Sequence, residues 1–366
     1  MISGLSVLVL LSDAFTSLGP FFAIFGYLSL LYLVFQFVDF TRMAKIGLVL
    51  IFILGLSVVF TALRSNSDLE IGLKYLLLFT ILGFTFFRKR EIDKSHLFWL
   101  FKVPLVVLVI TGLFQLFLMF VNPAFVIPYL QGHFRPIGLS VEPTFYSQQL
   151  FFLWILSDLC GLNNRKGKLI FELLIIIIIL ICATRTSMLA MILFLLFRSG
   201  ITAKFTLIIF SALCVPFAIT KFSEIPLIAQ IGSKIDNLFS ISGEPREVAL
   251  IIMIDKLQDV PMLGYGFVRL ISDIGLETGS LYANLFIAMF FSMGLLALAP
   301  LSVLFFRIIL SPNTSVFFCC SMVFLFSLIM PFLYTGFGMF IFLAVFTVLN
   351  NIPNRNVYVY QSFTGK

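Results

Sequence analysis

Read for hydropathy alone, the chain alternates long apolar runs with short polar gaps. Twelve runs approach the roughly twenty residues that a helix needs to cross a bilayer. They cover 1–17, 19–38, 46–63, 71–87, 97–121, 144–160, 169–183, 187–197, 205–220, 280–306, 316–332 and 336–350. Asp13, Gly19 and Pro20 interrupt the first pair. An eleven-span chain with its N-terminus outside is therefore the alternative to twelve spans with both termini inside. The run at 187–197 is short and must borrow neighbouring residues to cross. The pattern predicts an all-α fold, a polytopic integral membrane protein forming a single membrane domain over 1–366.

Composition agrees with that reading. Of 366 residues 61% are hydrophobic and only 11% charged, with a mean hydropathy of +1.13. A water-soluble fold of this length would leave too much apolar surface in water. The five cysteines, Cys160, Cys182, Cys214, Cys319 and Cys320, fall in or at the ends of the runs without metal-ligand spacing to a histidine. They read as small buried hydrophobes, not as a disulfide framework. The opening segment lacks a charged start and a small-residue cleavage site, so it is expected to be a retained span.

The placement of charge orients the chain. Basic residues cluster in alternate gaps: Arg42 and Lys45; Arg88, Lys89, Arg90 and Lys94; Arg165, Lys166 and Lys168; Arg198 and Lys204. This is the positive-inside pattern, which puts those gaps in the cytoplasm. The clusters are too small and too separated by spans to form one nucleic-acid surface. Two outward gaps then exceed a simple turn, at 122–143 and 221–279. The longer holds five basic residues against eight acids, a net charge of −3 in a chain of net charge +7. Within it, Glu244 and Pro245 precede EVALIIMIDKL, whose Val248, Ile251, Ile252 and Leu257 fall at near-helical spacing. This stretch is expected to be an amphipathic helix lying on the membrane surface. No internal repeat is visible, unlike transporter folds built from duplicated halves.

Four polar strings stand out against this background. The first is GHFRPIGLSVEPTFYSQQ, residues 132–149. Pro136, Gly138 and Pro143 force a non-helical path between Arg135 and Glu142. Charged, irregular backbone beside a span must be buried in protein or line a wet cavity; an ordinary loop ion pair is the simpler reading. The second is ATRTS, residues 183–187, where Arg185 lies between two apolar runs among hydroxyls. Alone it fits a snorkelling arginine equally well. The third begins at Arg246, placed at a helix start where guanidinium and backbone donors can meet an anion, and ends in the Gly-containing turn around Tyr265. The fourth, residues 279–297, re-enters the membrane with Tyr282 and Asn284 as polar groups. His133, on the first string, is the outward histidine; His96 falls on the cytoplasmic side.

Taken together, the strings resemble the O-antigen polymerase and ligase superfamily. The residues that match its ordered pattern are Arg135, Gly138, Glu142 and Pro143, then Thr184 and Arg185. Arg246, Pro261, Gly264 and Gly266 follow, then Asn284, Gly294 and Leu295. The match covers roughly residues 130–300, and each motif alone is weak. Ligase members usually carry histidine just before the asparagine near the returning span, where this chain has Ala283. The resemblance therefore points to a Wzy-type polymerase. It implies a membrane glycosyltransferase in the bacterial inner membrane that joins repeat units carried on undecaprenyl pyrophosphate, facing the periplasm. A ligase transferring glycan to lipid A core, or a lipid-linked oligosaccharide flippase, is the alternative.

That chemistry is displacement at an anomeric carbon. The pyrophosphate leaving group needs charge stabilisation more than protonation, which arginines supply bidentately. Arg185 and Arg246 are expected to clamp the pyrophosphates, with Arg135 nearby. Glu142 is the best-placed carboxylate to take the acceptor proton; orienting a sugar hydroxyl or holding Arg135 is its other role. His133 is a second candidate base, and His133, Tyr265, Tyr282 and Asn284 complete the expected glycan contacts. No metal or other cofactor is implied, since the outer face shows no Asp-x-Asp or His/Asp cluster. Membrane lipids and, through the resemblance, a chain-length regulator are the expected partners.

Overall fold

The computed structural model describes residues 1–11, 20–40, 45–63, 68–87, 92–121, 135–140, 142–162, 167–182, 184–198, 259–267, 285–310, 313–329 and 335–349. Among these it is all-helical, with no β-strand. The helices are α1 (Ile2–Leu11), α2 (Pro20–Phe37), α3 (Lys45–Ala62), α4 (Leu69–Phe84), α5 (Lys94–Leu97) and α6 (Val103–Val121). They continue as α7 (Pro143–Leu159), α8 (Lys168–Cys182), α9 (Arg185–Arg198), α10 (Leu285–Met293), α11 (Leu298–Ile309), α12 (Thr314–Ile329) and α13 (Gly336–Val348). Helix thus occupies every apolar run read from the sequence except 205–220, which lies outside the described residues, as does the expected amphipathic helix. Among the described residues, three helical stretches are long and apolar enough to cross a membrane: Lys45–Ala62, Lys94–Met119 and Leu285–Ile309. Shorter apolar helices include Ile2–Leu11, Thr186–Arg198 and Gly336–Val348. Along α3, Ile46, Val49, Phe52, Ile53, Val59 and Phe60 are all exposed. An apolar surface of that kind suits lipid and not water, which marks the chain as a membrane protein.

Two stretches depart from simple helix. Phe98–Lys102 is a π turn joining α5 to α6, and Gly294–Ala297 is a 3-10 turn joining α10 to α11. The sequence predicts one unbroken span over 280–306, whereas the helix is interrupted at Gly294. Its φ of +58° cannot continue a right-handed helix.

The chain forms two compact units. In the first, residues 1–25, 93–240 and 352–366, α7 is the core element. Leu150 to Leu156 are fully buried without exception, and α6, α8, α9 and the π turn all pack against this helix. Helix α8 runs antiparallel to both α7 and α9, which are parallel neighbours of each other. At one end Arg198 reaches Glu172 (2.9 Å) and Asp158 (3.4 Å), and Lys168 reaches Asp158 (2.7 Å). The Lys102 ammonium sits 3.8 Å from the centre of the Phe171 ring. Acids and bases from the ends of three helices therefore compensate one another where isolated charges would be costly.

In the second unit, residues 26–92 and 241–351, α13 is buried from end to end. Arg307, in the last turn of α11, donates to the Thr85 carbonyl (2.9 Å) that ends α4. Its guanidinium lies between the Phe86 and Phe346 rings, 4.8 and 4.6 Å from their centres, so charge, cap and cation–π contact fall on one residue. Asn313 caps α12 at Ser315 and donates to the Leu349 carbonyl (2.8 Å) just past α13.

The segment 261–267 is docked on the helix break by backbone hydrogen bonds. Tyr265 N–H donates to the Phe291 carbonyl (2.8 Å), Gly266 N–H to that of Ser292 (3.0 Å), and Leu295 N–H to that of Met262 (2.9 Å). The carbonyls of Phe291 and Ser292, near the end of α10, thereby find donors. Gly264 (φ +71°) and Gly294 press so closely that a β-carbon on either would overlap the other's backbone nitrogen. Gly264→Ala should therefore destabilise the protein by about 1–3 kcal/mol. Gly26→Ala, where a β-carbon meets nothing within 4 Å, should be neutral or stabilising by up to about 1 kcal/mol. Thermal unfolding of the two detergent-solubilised variants measures this contrast.

Candidate functional site

The segment from Arg135 to Glu142 reaches α7 along a path that proline dictates. Pro136 excludes helix at Arg135, and Pro143 holds Glu142 extended (φ −136°, ψ 145°) as the N-cap of α7, with Pro143 at the first helical position. The Glu142 side chain makes no capping bond, while its carbonyl accepts the Tyr146 N–H at 3.2 Å.

Backbone that leaves the helical ladder needs other partners, and Gln115 of α6 supplies them. Its Oε1 accepts the N–H groups of Ile137 (3.0 Å) and Gly138 (2.8 Å). Its Nε2 donates to the Gly138 carbonyl (2.9 Å). Tyr146 fixes the same segment from below. Its hydroxyl donates to the Leu108 carbonyl (2.7 Å), and its ring fills the space that a β-carbon on Gly138 would occupy. Gly138 also stands at φ +59°, so glycine is required there twice over.

This segment meets the end of α8, next to the second polar string. Arg135 Nη1 donates to the Cys182 carbonyl at 3.4 Å, and Cys182 Sγ donates to the Pro136 carbonyl at 3.7 Å. One turn into α7, the Ser147 hydroxyl lies 2.8 Å from the Thr184 hydroxyl and 2.7 Å from that of Ser187. All three hydroxyl residues are buried. The N-terminal ends of α7 and α9 thus lie side by side, with the charged Arg135 segment across them. Positive partial charge gathers at both helix starts, a setting that suits an anion.

Arg185 is the first residue of α9. The sequence separates Arg135 from Arg185 by fifty positions; the fold brings their segments together within the first unit. Among the described residues of the second unit, Tyr265 is engaged in its own turn. Its ring stacks on Phe291 (centroids 6.1 Å apart) and its hydroxyl donates to the Asp259 carbonyl at 3.1 Å. His133, Arg246, Tyr282 and Asn284 lie outside the described residues.

Two residues of this arrangement were not singled out by sequence reasoning. Gln115 had a signal, a lone amide inside an apolar run long enough to span. A polar group there requires a partner. Ser147 had none, because serine in an apolar helix commonly bonds back to its own backbone, as it also does here to Thr144. Deeper in α7, Gln149 donates to the Leu11 carbonyl (3.0 Å) at the end of α1.

Compared with family models, with curated proteins and with solved structures, the chain matches none.

The packing around Gly138 predicts an order of stabilities. Tyr146→Phe removes one hydrogen bond and should cost about 0.5–1.5 kcal/mol. Gly138→Ala must displace the tyrosine ring and hold a strained backbone, so it should cost more, about 1–3 kcal/mol. Melting temperatures of the purified variants give the order, and a Tyr146→Phe protein less stable than Gly138→Ala would contradict the packing described.

Proposed function

We propose that this chain polymerises lipid-linked oligosaccharide repeat units at the periplasmic face of the bacterial inner membrane. The product is O-antigen or a related surface polysaccharide, and the donor and acceptor glycans are carried on undecaprenyl pyrophosphate. The observation that carries the reading is that the Arg135–Glu142 segment is bonded to Cys182, while the helix it leads into is bonded through Ser147 to Thr184 and Ser187, on either side of Arg185. These two strings lie far apart in the chain, and both belong to the ordered pattern that resembles the polymerase superfamily.

The charge distribution supports the orientation. On a twelve-span path, the gaps rich in lysine and arginine face the cytoplasm, and both Arg135 and Arg185 face outward. The network of Asp158, Lys168, Glu172 and Arg198 joins the opposite ends of α7, α8 and α9, which this orientation assigns to the cytoplasmic side.

In the proposed reaction the acceptor hydroxyl attacks the donor's anomeric carbon. The bond from that carbon to the phosphate oxygen breaks, and the pyrophosphate lipid departs with the bonding electrons. Arg135 and Arg185, beside two helix N-termini, stabilise the charge that grows on the leaving group. Arg246 is assigned the same role on the second pyrophosphate. Glu142, held extended at the mouth of α7, accepts the hydroxyl proton or aligns the hydroxyl for attack. The negative charge that develops on the leaving group makes arginine loss more damaging than loss of a neutral contact.

Arg135→Ala and Arg185→Ala should each leave the protein inserted at normal abundance. Each should lower long-chain polymer by roughly a hundredfold or more, with single repeat units retained on the cell surface. Gel electrophoresis of the surface glycan beside immunodetection of the protein measures both quantities. A normal chain-length distribution in either variant would contradict the arginine assignment.

A further inference from the structure

Gln115 lies on α6, within the stretch Lys94–Met119 that is long and apolar enough to cross a membrane. A primary amide in such a helix is costly unless its donor and acceptor are both engaged. Here three hydrogen bonds of 2.8–3.0 Å converge on two successive residues, Ile137 and Gly138. Both N–H groups share one amide oxygen, and the amide nitrogen returns to the Gly138 carbonyl. This is the pairing that a neighbouring β-strand would offer, delivered by one side chain. Two residues before this clamp stands Arg135, and four residues after it stands Glu142.

We infer that Gln115 is a positioning residue that holds the Arg135–Glu142 segment in the orientation the transfer reaction uses. The role rests on the proposed function, since it concerns the site assigned there. Gln115 acts through the backbone of its neighbour and touches no substrate. Its value to the reaction is geometric, because displacing a reacting group by about an ångström is enough to lose one to two orders of magnitude in rate.

Two substitutions separate positioning from plain stability. Gln115→Met keeps the length and apolar volume of the side chain and removes all three hydrogen bonds. Gln115→Glu keeps an oxygen for the two N–H groups and loses the donor to Gly138, at the expense of a carboxylate in an apolar helix. Stability alone favours the methionine variant. Positioning favours the glutamate variant.

The experiment uses full-length protein in membranes and two readouts. One is the rate at which a membrane-impermeant maleimide labels Leu139→Cys, counted above the parent lacking that cysteine. The other is kcat/KM, per folded protein, for joining lipid-linked repeat units from the host. Gln115→Met should label faster and lose roughly tenfold to a hundredfold in kcat/KM, with Gln115→Glu between it and the parent. Unchanged labelling in Gln115→Met would overturn the inference, because the segment would not depend on Gln115. Faster labelling with unchanged kcat/KM, or a methionine variant as active as the glutamate variant, would overturn it as well. A parent chain that joins no repeat units would overturn the proposed function and this role with it. That result is distinguishable because it appears before any substitution at Gln115.

Discussion

Inside a bilayer a backbone N–H or C=O has no water to turn to, so any segment that leaves the helical ladder must find partners in the protein. The rest of the first unit follows from how residues 135–140 meet this demand. Gln115 takes up three of their backbone groups, Tyr146 fills the space left by Gly138, and Arg135 and Pro136 are tied to Cys182. Once that segment is fixed, the starts of α7 and α9 are held together, and Ser147, Thr184 and Ser187 close the contact with shared hydroxyls. An arginine-bearing, irregular stretch thus lies beside two helix N-termini.

The same constraint explains the turn at 261–267 in the second unit. There the helix breaks at Gly294, and the carbonyls of Phe291 and Ser292 accept from Tyr265 and Gly266. In one unit a side chain satisfies irregular backbone, and in the other a second stretch of backbone does so. The glycines that match the polymerase pattern at 264 and 294 acquire a structural reason, since each leaves room for the other. Tyr265, expected to contact glycan, has its ring and hydroxyl within this docked turn. The opposite end of α7, α8 and α9 shows a different solution, in which Asp158 and Glu172 neutralise Lys168 and Arg198 across three helices.

Much of the fold was legible because hydropathy is a property of single residues summed over a window. Helices α3, α4 and α12 begin and end within a few residues of the apolar runs that predicted them. The limits of such reading are equally physical. The break at Gly294 depends on a partner thirty residues away, which no local window contains. The bond from Gln149 to the Leu11 carbonyl likewise joins residues 138 positions apart in the chain. In the candidate site, Arg135, Glu142 and Arg185 stand out in the sequence because charge beside a span is rare and proline dictates the path around it. Gln115 was not recognised, because an isolated amide says that it needs a partner without saying which. The pairing of Ser147 with Thr184 and Ser187 is a tertiary contact between residues that are each commonplace in a helix.

What the intact chain does with lipid-linked repeat units decides between polymerisation and its alternatives. The most direct measurement is disruption of its gene in the host, followed by electrophoresis of the surface glycan and restoration with the wild-type chain. Polymerisation predicts that disruption removes the long-chain ladder and leaves single repeat units attached to the lipid core, and that the wild-type chain restores the ladder. Complete absence of attached repeat units, as loss of a ligase or a flippase would produce, or an unaltered ladder, would contradict it.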